Sequence, residues 1–478
     1  MALDGISADG MEAILAKQKA AHIRDGIPSA EQREAWIDKS IDLLVTHGEA
    51  LSKAMAEDFG HRSIDQSNLT YIAGSIGALK FSRKNLRKWM RPEKRKVEFP
   101  LGLLGSKAQI QYQPKGVIGV ISPWNFPVNL TFAPLANVFA AGNRAMIKPS
   151  EFTEKTSELM AELIAKYYTE EEVAVVTGGP DIGASFTKLA FDHIIFTGAT
   201  SIAHHVMRAA ADNLVPLTLE LGGKSPVILG KSANIEKAAS RIMAGKTLNA
   251  GQICLAPDYA FVPEEKTGEF VGAAQAAVGK MYADGLKDND DYTSVVNQRH
   301  YDRLNSYLDD AREKGAEVIE INPQNENFSQ QPHHKMAPHI VLNPTDDMKV
   351  MQDEIFGPIL PLKSYSETKD AVAYINNNPR PLGLYYFGDD ATERDMVLNN
   401  TTSGGVTVND VIFHVAQEDL PFGGVGPSGM GAYHGRDGFM EFSHKKAIYT
   451  QTGNEILAMM RPPYGEKFRK QVAGRMKK

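Results

Sequence analysis

Apolar and polar positions along the chain predict alternating strands and helices from Gly116 onward. Short apolar runs predict the strands, and helical spacing of apolar residues predicts the helices between them. The first series has strands at 117–121, 145–148, 173–177, 193–197 and 217–221, with helices over 153–168 and from 200. A second series follows Gly222, with strands at 227–229 and 259–262 and helices over 235–247 and 264–282. This alternation favours a parallel, doubly wound sheet, so the predicted fold class is α/β.

The region before Gly116 has a different pattern. Ser29 and Gln32 have capping-box spacing and precede a helical repeat of apolar residues, and another helix is predicted over 69–90. Residues 107–115 alternate apolar and polar side chains, which predicts an exposed strand or hairpin arm. Such an arm has free strand edges that a partner subunit would cover.

Composition narrows the functional classes. The 478 residues are 42% hydrophobic and 23% charged, which is typical of a folded globular protein and excludes disorder as the main state. Lys and Arg total 52 against 58 Asp and Glu, which argues against a dedicated nucleic-acid binder. No apolar stretch approaches the ~18 residues of a membrane-spanning helix, and the N-terminus lacks a signal-peptide pattern. Since a single cysteine cannot form an internal disulfide, we expect a cytoplasmic protein.

Basic residues are concentrated in the C-terminal tail, over 456–478. They could contact anionic lipid, or the tail could be a solvated end of the chain. The second interpretation is favoured, because the segment has no apolar face that would anchor it.

Three residues could take part in covalent chemistry. Cys254, the only cysteine, follows a helix and a Gly-Gln turn, and it is either an accessible nucleophile or an inert buried thiol. Glu220 lies in an apolar strand, where a carboxylate is expensive to bury unless it is paired or used. Asn125 follows a strand, where its amide could donate to an oxyanion or cap a turn.

Candidate ligand-binding turns follow other predicted strands. Residues 196–200 join a strand to a helix, where backbone N–H groups can bind an anion. Lys148 and Glu151 close a strand and could hold ribose hydroxyls, although this segment also suits the start of a helix. The GxGxxG at 424–429 is interpreted as a structural loop, because Pro427 stands where a nucleotide-binding helix would begin. The adjacent histidine pairs lack metal-ligand spacing, and no metal site is predicted.

Seven short motifs together resemble the NAD(P)-dependent aldehyde dehydrogenase superfamily. They follow the family's order and spacing over nearly the whole chain: PWNFP (123–127), KPSE (148–151), FTGAT (196–200), LELGGKSP (219–226), GQIC (251–254), EIFGP (354–358) and PFGG (421–424). The C-terminal part and GQICLAPDY (251–259) are most similar to the class 3 branch, and within it to bacterial coniferyl aldehyde dehydrogenases. The resemblance implies an aldehyde dehydrogenase-like α/β fold with a Rossmann-type doubly wound cofactor domain, an α/β catalytic domain and a β oligomerisation arm.

The resemblance also implies roles for single residues. Cys254 would be the nucleophile and Glu220 the general base, with the Asn125 side chain and the Cys254 backbone N–H as the oxyanion hole. The residues implied to bind the cofactor, NAD with NADP as an alternative, are Trp124, Lys148, Glu151, Gly198, Thr200, Glu354 and Phe356. Those implied to line the aldehyde pocket are Phe126, Ile253, Ile412, Phe422 and His434. One departure is Ala203, which stands where many members have a second glycine near the pyrophosphate.

The implied activity is oxidation of an aldehyde to a carboxylic acid with reduction of NAD(P). The aldehyde would be aromatic, such as coniferaldehyde, or aliphatic of medium to long chain. A Cys254 thiohemiacetal would become a thioester, which water activated by Glu220 would hydrolyse. Two alternatives remain open: a cysteine esterase or hydrolase without redox chemistry, and a non-catalytic scaffold on the same fold.

The expected organisation divides the chain into four parts. Residues 1–105 and 117–221 form the cofactor domain, 222–407 the catalytic domain, 106–116 and 430–455 the oligomerisation arm, and 456–478 the basic tail. Because class 3 relatives are typically dimers, we expect a homodimer. The expected ligand is a small-molecule aldehyde substrate. We expect the protein to bind no nucleic acid and to have no membrane-spanning segment.

Overall fold

The computed structural model describes residues 7–99, 101–453, 458 and 461–476. Its helices are α1 (Ala8–Asp25), α2 (Ala30–Asp58), α3 (Ile64–Ser67), α4 (Gly74–Trp89), α5 (Asn129–Ala141), α6 (Glu154–Tyr167), α7 (Pro180–Phe186), α8 (Thr200–Ala211), α9 (Ile235–Thr247), α10 (Thr267–Met281), α11 (Gln298–Glu313), α12 (Lys349–Gln352), α13 (Thr368–Asn377), α14 (Ala391–Asn400), α15 (Gly435–Glu441) and α16 (Glu466–Arg475). Its strands are β1 (Glu93–Arg95), β2 (Lys107–Pro114), β3 (Val117–Ile121), β4 (Arg144–Lys148), β5 (Val173–Val175), β6 (His193–Gly198), β7 (Leu217–Leu221), β8 (Pro226–Leu229), β9 (Tyr259–Pro263), β10 (Glu317–Glu320), β11 (His339–Leu342), β12 (Ile359–Tyr365), β13 (Gly383–Phe387), β14 (Gly405–Val408), β15 (Gly429–Met430) and β16 (Ser443–Thr450).

The first series of predicted strands forms one sheet in the order β15-β7-β6-β3-β4-β5. All neighbouring strands are parallel except β15, which pairs antiparallel with β7. Ile118 and Val120 pack with residues of α2, α5 and α6, while Val117 and Ile194 pack with residues of α1 and α8 on the other face. Helices therefore cover both faces, and the predicted doubly wound α/β architecture is confirmed.

The second series forms a seven-stranded sheet in the order β10-β11-β12-β9-β8-β13-β14. Only β10 runs antiparallel to its neighbour within this sheet. Val227 and Leu229 pack with residues of α9 and α10, whereas Ile228 packs with residues of α11 and α13. The apolar runs read as buried strands because both of their faces meet helices.

The predicted arm is a three-stranded antiparallel sheet in the order β1-β2-β16. Its composition differs from the expectation in two ways. Residues 93–95 belong to it, because β1 pairs with β2 across a turn. Residues 430–441 do not, because Met430 pairs with Leu219 of the first sheet and α15 packs against α4 and α5. The arm's C-terminal strand therefore begins at Ser443.

The terminal segments are described only in part. Residues 1–6, and residues 454–457, 459–460 and 477–478 of the basic tail, lie outside the described residues. Within the tail, α16 has an exposed surface and buries none of its side chains. No helix in the described part of the chain is long and apolar enough to cross a membrane.

Candidate active site

A cleft of ≈ 220 Å³ opens where β6 and β7 end and brings the three candidate reactive residues together. Asn125, Glu220 and Cys254 all contribute to its lining. Thr197 and Gly198 at the end of β6 line it as well. In open α/β sheets, ligands bind outside the carboxyl ends of the parallel strands, so this position is the expected one for a ligand.

Glu220 is a buried carboxyl in the middle of the site. It lies on β7, between Thr197 of β6 and Gly429 of β15, and is 1% exposed. Burial raises the pKa of the Glu220 carboxyl to about 8, and the Cys254 thiol is the neighbour that most opposes this shift. Neither carboxyl oxygen has a hydrogen-bond partner among the described residues. An isolated carboxyl with a pKa near neutrality is suited to proton transfer.

The turn before Cys254 explains how the thiol reaches the cleft. Asn249, Ala250 and Gly251 all have left-handed φ angles, of 51°, 50° and 72°. The Gln252 side chain holds this turn in place. Its amide nitrogen donates to Asn249 O (2.9 Å) and Ser294 O (3.0 Å), and its amide oxygen accepts from Val296 N (2.9 Å). Strained backbone of this kind persists only where the surroundings hold it, and it is frequent at active sites.

The Cys254 thiol is held in its protonated form until a base removes the proton. Burial raises its pKa, and the neighbouring carboxyls of Glu220 and Glu354 raise it further. Burial is therefore the main restraint on ionisation of the thiol, and the neighbouring Glu220 carboxyl adds to it.

Asn125 places its amide beside the nucleophile turn. Its side-chain nitrogen donates to Gln252 O at 3.1 Å, and the residue is 3% exposed. An amide nitrogen carries two protons, so one N–H remains for a ligand in the cleft. The alternative of a simple turn cap does not account for this contact across 127 residues of sequence.

Aromatic and charged residues form the outer wall of the same cleft. The Trp124 ring lies 5.3 Å from the ring of Phe356 and 5.1 Å from that of His300, measured between centroids. Glu354 and Arg303 complete this wall. Burial raises the pKa of Glu354 to about 8, with Asp258 adding to the shift.

The loop that carries Glu354 is anchored by an ion pair that the sequence did not reveal. Lys224 forms an ion pair with Asp258 and donates to the carbonyls of Val350 and Asp353, both at 2.8 Å. Asp258 also accepts from Ile355 N at 2.9 Å. A Cβ on Gly222 would collide with the Glu354 carboxyl, so a side chain at this position would displace that carboxyl.

Glu151 lines a second cleft, of ≈ 180 Å³, beyond the end of β4, whereas Lys148 is buried and is not part of that lining. The Lys148 ammonium donates to Pro149 O at 2.7 Å and lies 4.0 Å from the Glu151 carboxylate, which lines the cleft. The interpretation of this segment as a helix start was wrong, because α6 begins at Glu154. Both clefts lie along the carboxyl ends of the first sheet, where an extended dinucleotide could occupy them together.

Gly198 ends β6, and Thr200 is the first residue of α8. Gly198 lines the first cleft, whereas the Thr200 hydroxyl donates to Pro427 O at 3.2 Å and is not part of that lining. The first N–H groups of a helix have no partner within the helix, so α8 presents donors suited to a phosphate.

The five candidate aldehyde-pocket residues lie outside the lining of the first cleft. Ile253 and Phe422 belong to one buried apolar cluster, against which Phe126, Ile412 and Cys254 pack. The His434 ring stacks on Phe422 with centroids 5.3 Å apart, and burial lowers its pKa to about 4. Ile412 and His434 have φ angles of 69° and 83°, which are strained for side chains of this size.

Sequence reasoning missed several residues that shape the site: Arg62, Lys224, Gln252, Asp258, His300 and Arg303. Lys224 and Gln252 lie within the motifs LELGGKSP and GQIC. Their position in these motifs was a signal that their side chains contact other parts of the site. His300 and Arg303 share one face of α11, three residues apart, and no local pattern shows that this face meets the cleft.

The fold agrees with the comparisons with known proteins. The chain belongs to the aldehyde dehydrogenase family, which matches residues 6–448. It is 64% identical over 471 residues to a Caulobacter vibrioides protein named probable coniferyl aldehyde dehydrogenase, with 98% of this chain and 97% of the relative covered. It is 52% identical over 463 residues to the coniferyl aldehyde dehydrogenase of a Pseudomonas species, with 96% and 95% covered.

Solved structures extend the agreement to the fold. The Mycobacterium tuberculosis aldehyde dehydrogenase complexed with NAD+ matches with a TM-score of 0.83 at 25% identity, covering 94% of this chain and 91% of that one. The predicted family, fold class and enzyme class are thereby confirmed. The chain is an aldehyde dehydrogenase, an enzyme that oxidises aldehydes to carboxylic acids.

Proposed function

We propose that Cys254, Glu220 and Asn125 carry out this oxidation as nucleophile, general base and oxyanion donor. The observation that supports the assignment is their convergence: a thiol, an isolated buried carboxyl and an amide donor line one cleft at the carboxyl ends of a doubly wound sheet. These are the groups that acyl transfer through a covalent thioester needs.

The proposed steps follow from the positions of these groups. Glu220 accepts the thiol proton as the Cys254 sulfur bonds to the aldehyde carbon. The oxyanion of the thiohemiacetal accepts hydrogen bonds from the Asn125 amide and the Cys254 N–H; one such donor is worth ~3–4 kcal/mol in a comparable site. Bound NAD(P) would supply the hydride acceptor for this oxidation, and Cys254 would then hold the acyl group as a thioester. After Glu220 has released the thiol proton to solvent, it accepts a proton from water; the water oxygen bonds to the acyl carbon, the carbon–sulfur bond breaks, and the acid leaves as the Cys254 thiolate takes up a proton again.

We propose that the cofactor lies along the two clefts. Trp124, Glu354 and Phe356 would hold its nicotinamide end, Gly198 and Thr200 its pyrophosphate at the start of α8, and Lys148 and Glu151 its adenosine ribose. The fit is supported by Gly222, where any side chain would displace Glu354, and by the ribose-sized cleft at Glu151. The Glu151 carboxylate suits the free 2′-hydroxyl of NAD and repels the extra phosphate of NADP, so NAD is the proposed cofactor. Burial of Ala203 indicates that helix packing, rather than a glycine turn, forms this part of the site.

An aromatic aldehyde such as coniferaldehyde is the proposed substrate. The names of the two bacterial relatives support this choice. So does the set of apolar and aromatic residues beside Cys254: Phe126, Ile253, Ile412, Phe422 and His434. Flat rings would stack on such a lining, whereas a charged semialdehyde would have no counterion there.

We propose that each of the three sheets has a separate function. The first sheet holds the cofactor, the second carries the Cys254 turn and the Glu354 loop, and the β1-β2-β16 sheet joins two subunits into a homodimer. A nucleophilic thiol must remain reduced to act, which favours a cytoplasmic location.

Reduced-cofactor absorbance tests the proposal directly. Coniferaldehyde, benzaldehyde, hexanal and succinic semialdehyde would each be offered with NAD or NADP. Wild-type protein should reduce NAD fastest with coniferaldehyde, and Cys254→Ser should lose turnover by at least about a thousandfold. Turnover of an ester or thioester at full rate without NAD(P), combined with no aldehyde oxidation, would instead support a cysteine hydrolase.

A further inference from the structure

Arg62 is a fully buried guanidinium, and no carboxylate among the described residues forms an ion pair or hydrogen bond with it. It lies between α2 and α3 and is 1% exposed. Its Nη2 atom donates to Asn125 O at 2.7 Å, while Nε and Nη1 have no partner among the described residues. The neighbouring Asp58 is engaged elsewhere: its carboxylate accepts from the backbone N–H groups of Lys155 and Thr156, both at 2.9 Å. A charge buried in this way is costly, so its retention calls for a physical reason.

Aromatic rings take the place of the missing carboxylate. The guanidinium carbon lies 4.1 Å from the centroid of the Tyr71 ring, 4.3 Å from that of Phe59 and 5.8 Å from that of Phe126. Tyr71 and Phe126 are stacked on each other, with centroids 4.6 Å apart and planes at 24°. Cation–π contacts are strongest when desolvated, as they are here.

Arg62 and Tyr71 both donate hydrogen bonds to the backbone carbonyl of Asn125. It accepts from Arg62 Nη2 (2.7 Å), from the Tyr71 hydroxyl (3.2 Å) and from Asn249 Nδ2 (3.4 Å). A carbonyl oxygen has two lone pairs, so three donors saturate it and fix the orientation of its peptide group. The side chain of the same residue lies beside the Cys254 turn.

We propose that Arg62 is a positioning residue, which holds the Asn125 carbonyl so that the Asn125 amide points at the oxyanion formed on the aldehyde. Phe126, the next residue, is held by the same stack, so one buried cation sets both the oxyanion donor and a wall of the aldehyde pocket. The inference rests on the proposed role of Asn125. It requires that Arg62 act on hydride transfer through Asn125 and not on cofactor binding.

Pre-steady-state bursts of reduced cofactor give the required measurement. Arg62→Met retains length and apolar contact but removes the donor, and we expect the burst rate constant to fall about tenfold to a hundredfold, less than the loss of an oxyanion donor itself. KM for NAD should stay within about twofold of the wild-type value, since Arg62 does not line the cofactor clefts. Tyr71→Phe removes only the hydroxyl donor, and it should give a smaller drop in the same direction.

Arg33 supplies a matched control. It is also buried, at 2% exposed, and also donates to backbone carbonyls, Pro28 O at 3.1 Å and Ala140 O at 2.8 Å, but away from the site. Arg33→Met should lower the melting temperature without changing the burst rate constant of the folded protein. Equal effects of the two arginine variants on the burst would overturn the proposal.

A double-mutant cycle with Asn125→Ala separates the two levels of inference. If Arg62 acts through Asn125, then Arg62→Met should slow the Asn125→Ala enzyme by less than twofold, and so should Tyr71→Phe. Arg62→Met slowing both backgrounds by the same factor would overturn the positioning role while leaving the Asn125 role intact. A normal burst in Asn125→Ala itself would overturn the proposed function of Asn125. Should Arg62→Met fail to fold, Tyr71→Phe gives the same test with the ring in place.

Discussion

Glu220 shows how the surroundings of one residue set its chemistry. Its carboxyl has a pKa raised to about 8 by burial, so it is neutral below that pH and basic above it. Below pH 8 the basic fraction falls about tenfold for each pH unit. Thioester hydrolysis, which needs the basic form, should therefore speed up from pH 6 to about 8 and then level off.

Glu220→Gln should abolish this rise. We expect the variant to lose about 10²–10⁴-fold in steady-state rate and also to slow in the burst of reduced cofactor, because the base for both the thiol and the water is missing. Glu418→Gln is the control: burial raises the pKa of that carboxyl also, to about 7, but it does not line the cleft. Its pH profile should keep the wild-type shape, and a pH-dependent rise that survives in Glu220→Gln would contradict the assignment.

Single residues differ in how far their roles could be predicted from sequence. A lone cysteine after a tight turn and a carboxylate within an apolar strand are local signals, and Cys254 and Glu220 carry them. Arg62 carries none, because its partners Tyr71 and Asn125 are set by packing among α3, the following helical turns and the end of β3. Its burial could not be inferred from an arginine in a polar stretch.

At the scale of elements, two loops meet at the part of the first cleft that we propose holds the nicotinamide. The turn between β7 and β8 contains Gly222, and the loop after α12 contains Glu354. Gly222→Ala would push the Glu354 carboxyl out of place, since the new methyl group would occupy its position. Loss of a hydrogen bond to a charged group is worth ~1.5–3 kcal/mol, so KM for NAD should rise about tenfold or more.

Gly230→Ala provides the matched control for that prediction. Its new methyl group would meet the Glu393 carboxylate and the Tyr386 hydroxyl, away from both clefts. It should destabilise the protein without changing KM for NAD in the folded enzyme, as melting curves and initial rates would show. Similar KM values for wild type and Gly222→Ala would mean that Glu354 does not hold the cofactor.

The elements themselves were predictable in proportion to their burial. β3 and β7 match the predicted ranges because both faces of each are buried, which leaves a continuous apolar run. β1 is a polar strand of three residues, and β15 has two, so their pairing depends on partners far away in the sequence. The same reason explains why the arm was expected to include residues 430–455, although its C-terminal strand begins at Ser443.

At the scale of the whole molecule, the site depends on both large sheets. Glu220 lies on the first sheet, whereas Cys254 and Glu354 follow helices and loops of the second. The Cys254 thiol and the Glu220 carboxyl meet only where the sheets face each other, so the site assembles only when both have folded. The motifs could predict that these residues belong together, but not the distances and burial that set their pKa values.

The β1-β2-β16 sheet packs on the rest of the chain through Tyr112, which contacts Phe439, and leaves much of β16 exposed. β16 pairs with β2 along eight residue pairs, and its side chains from His444 to Ala447 are exposed. An exposed edge of this length is a natural place for a second subunit.

We expect a chain that ends at Phe442, without β16, to be monomeric by light scattering, while the full chain is a dimer. The control chain ends at Thr450, so it keeps β16 and lacks the tail, and it should remain dimeric. Circular dichroism would show that the shorter chain is folded, and a dimer that persists in it would place the subunit interface elsewhere.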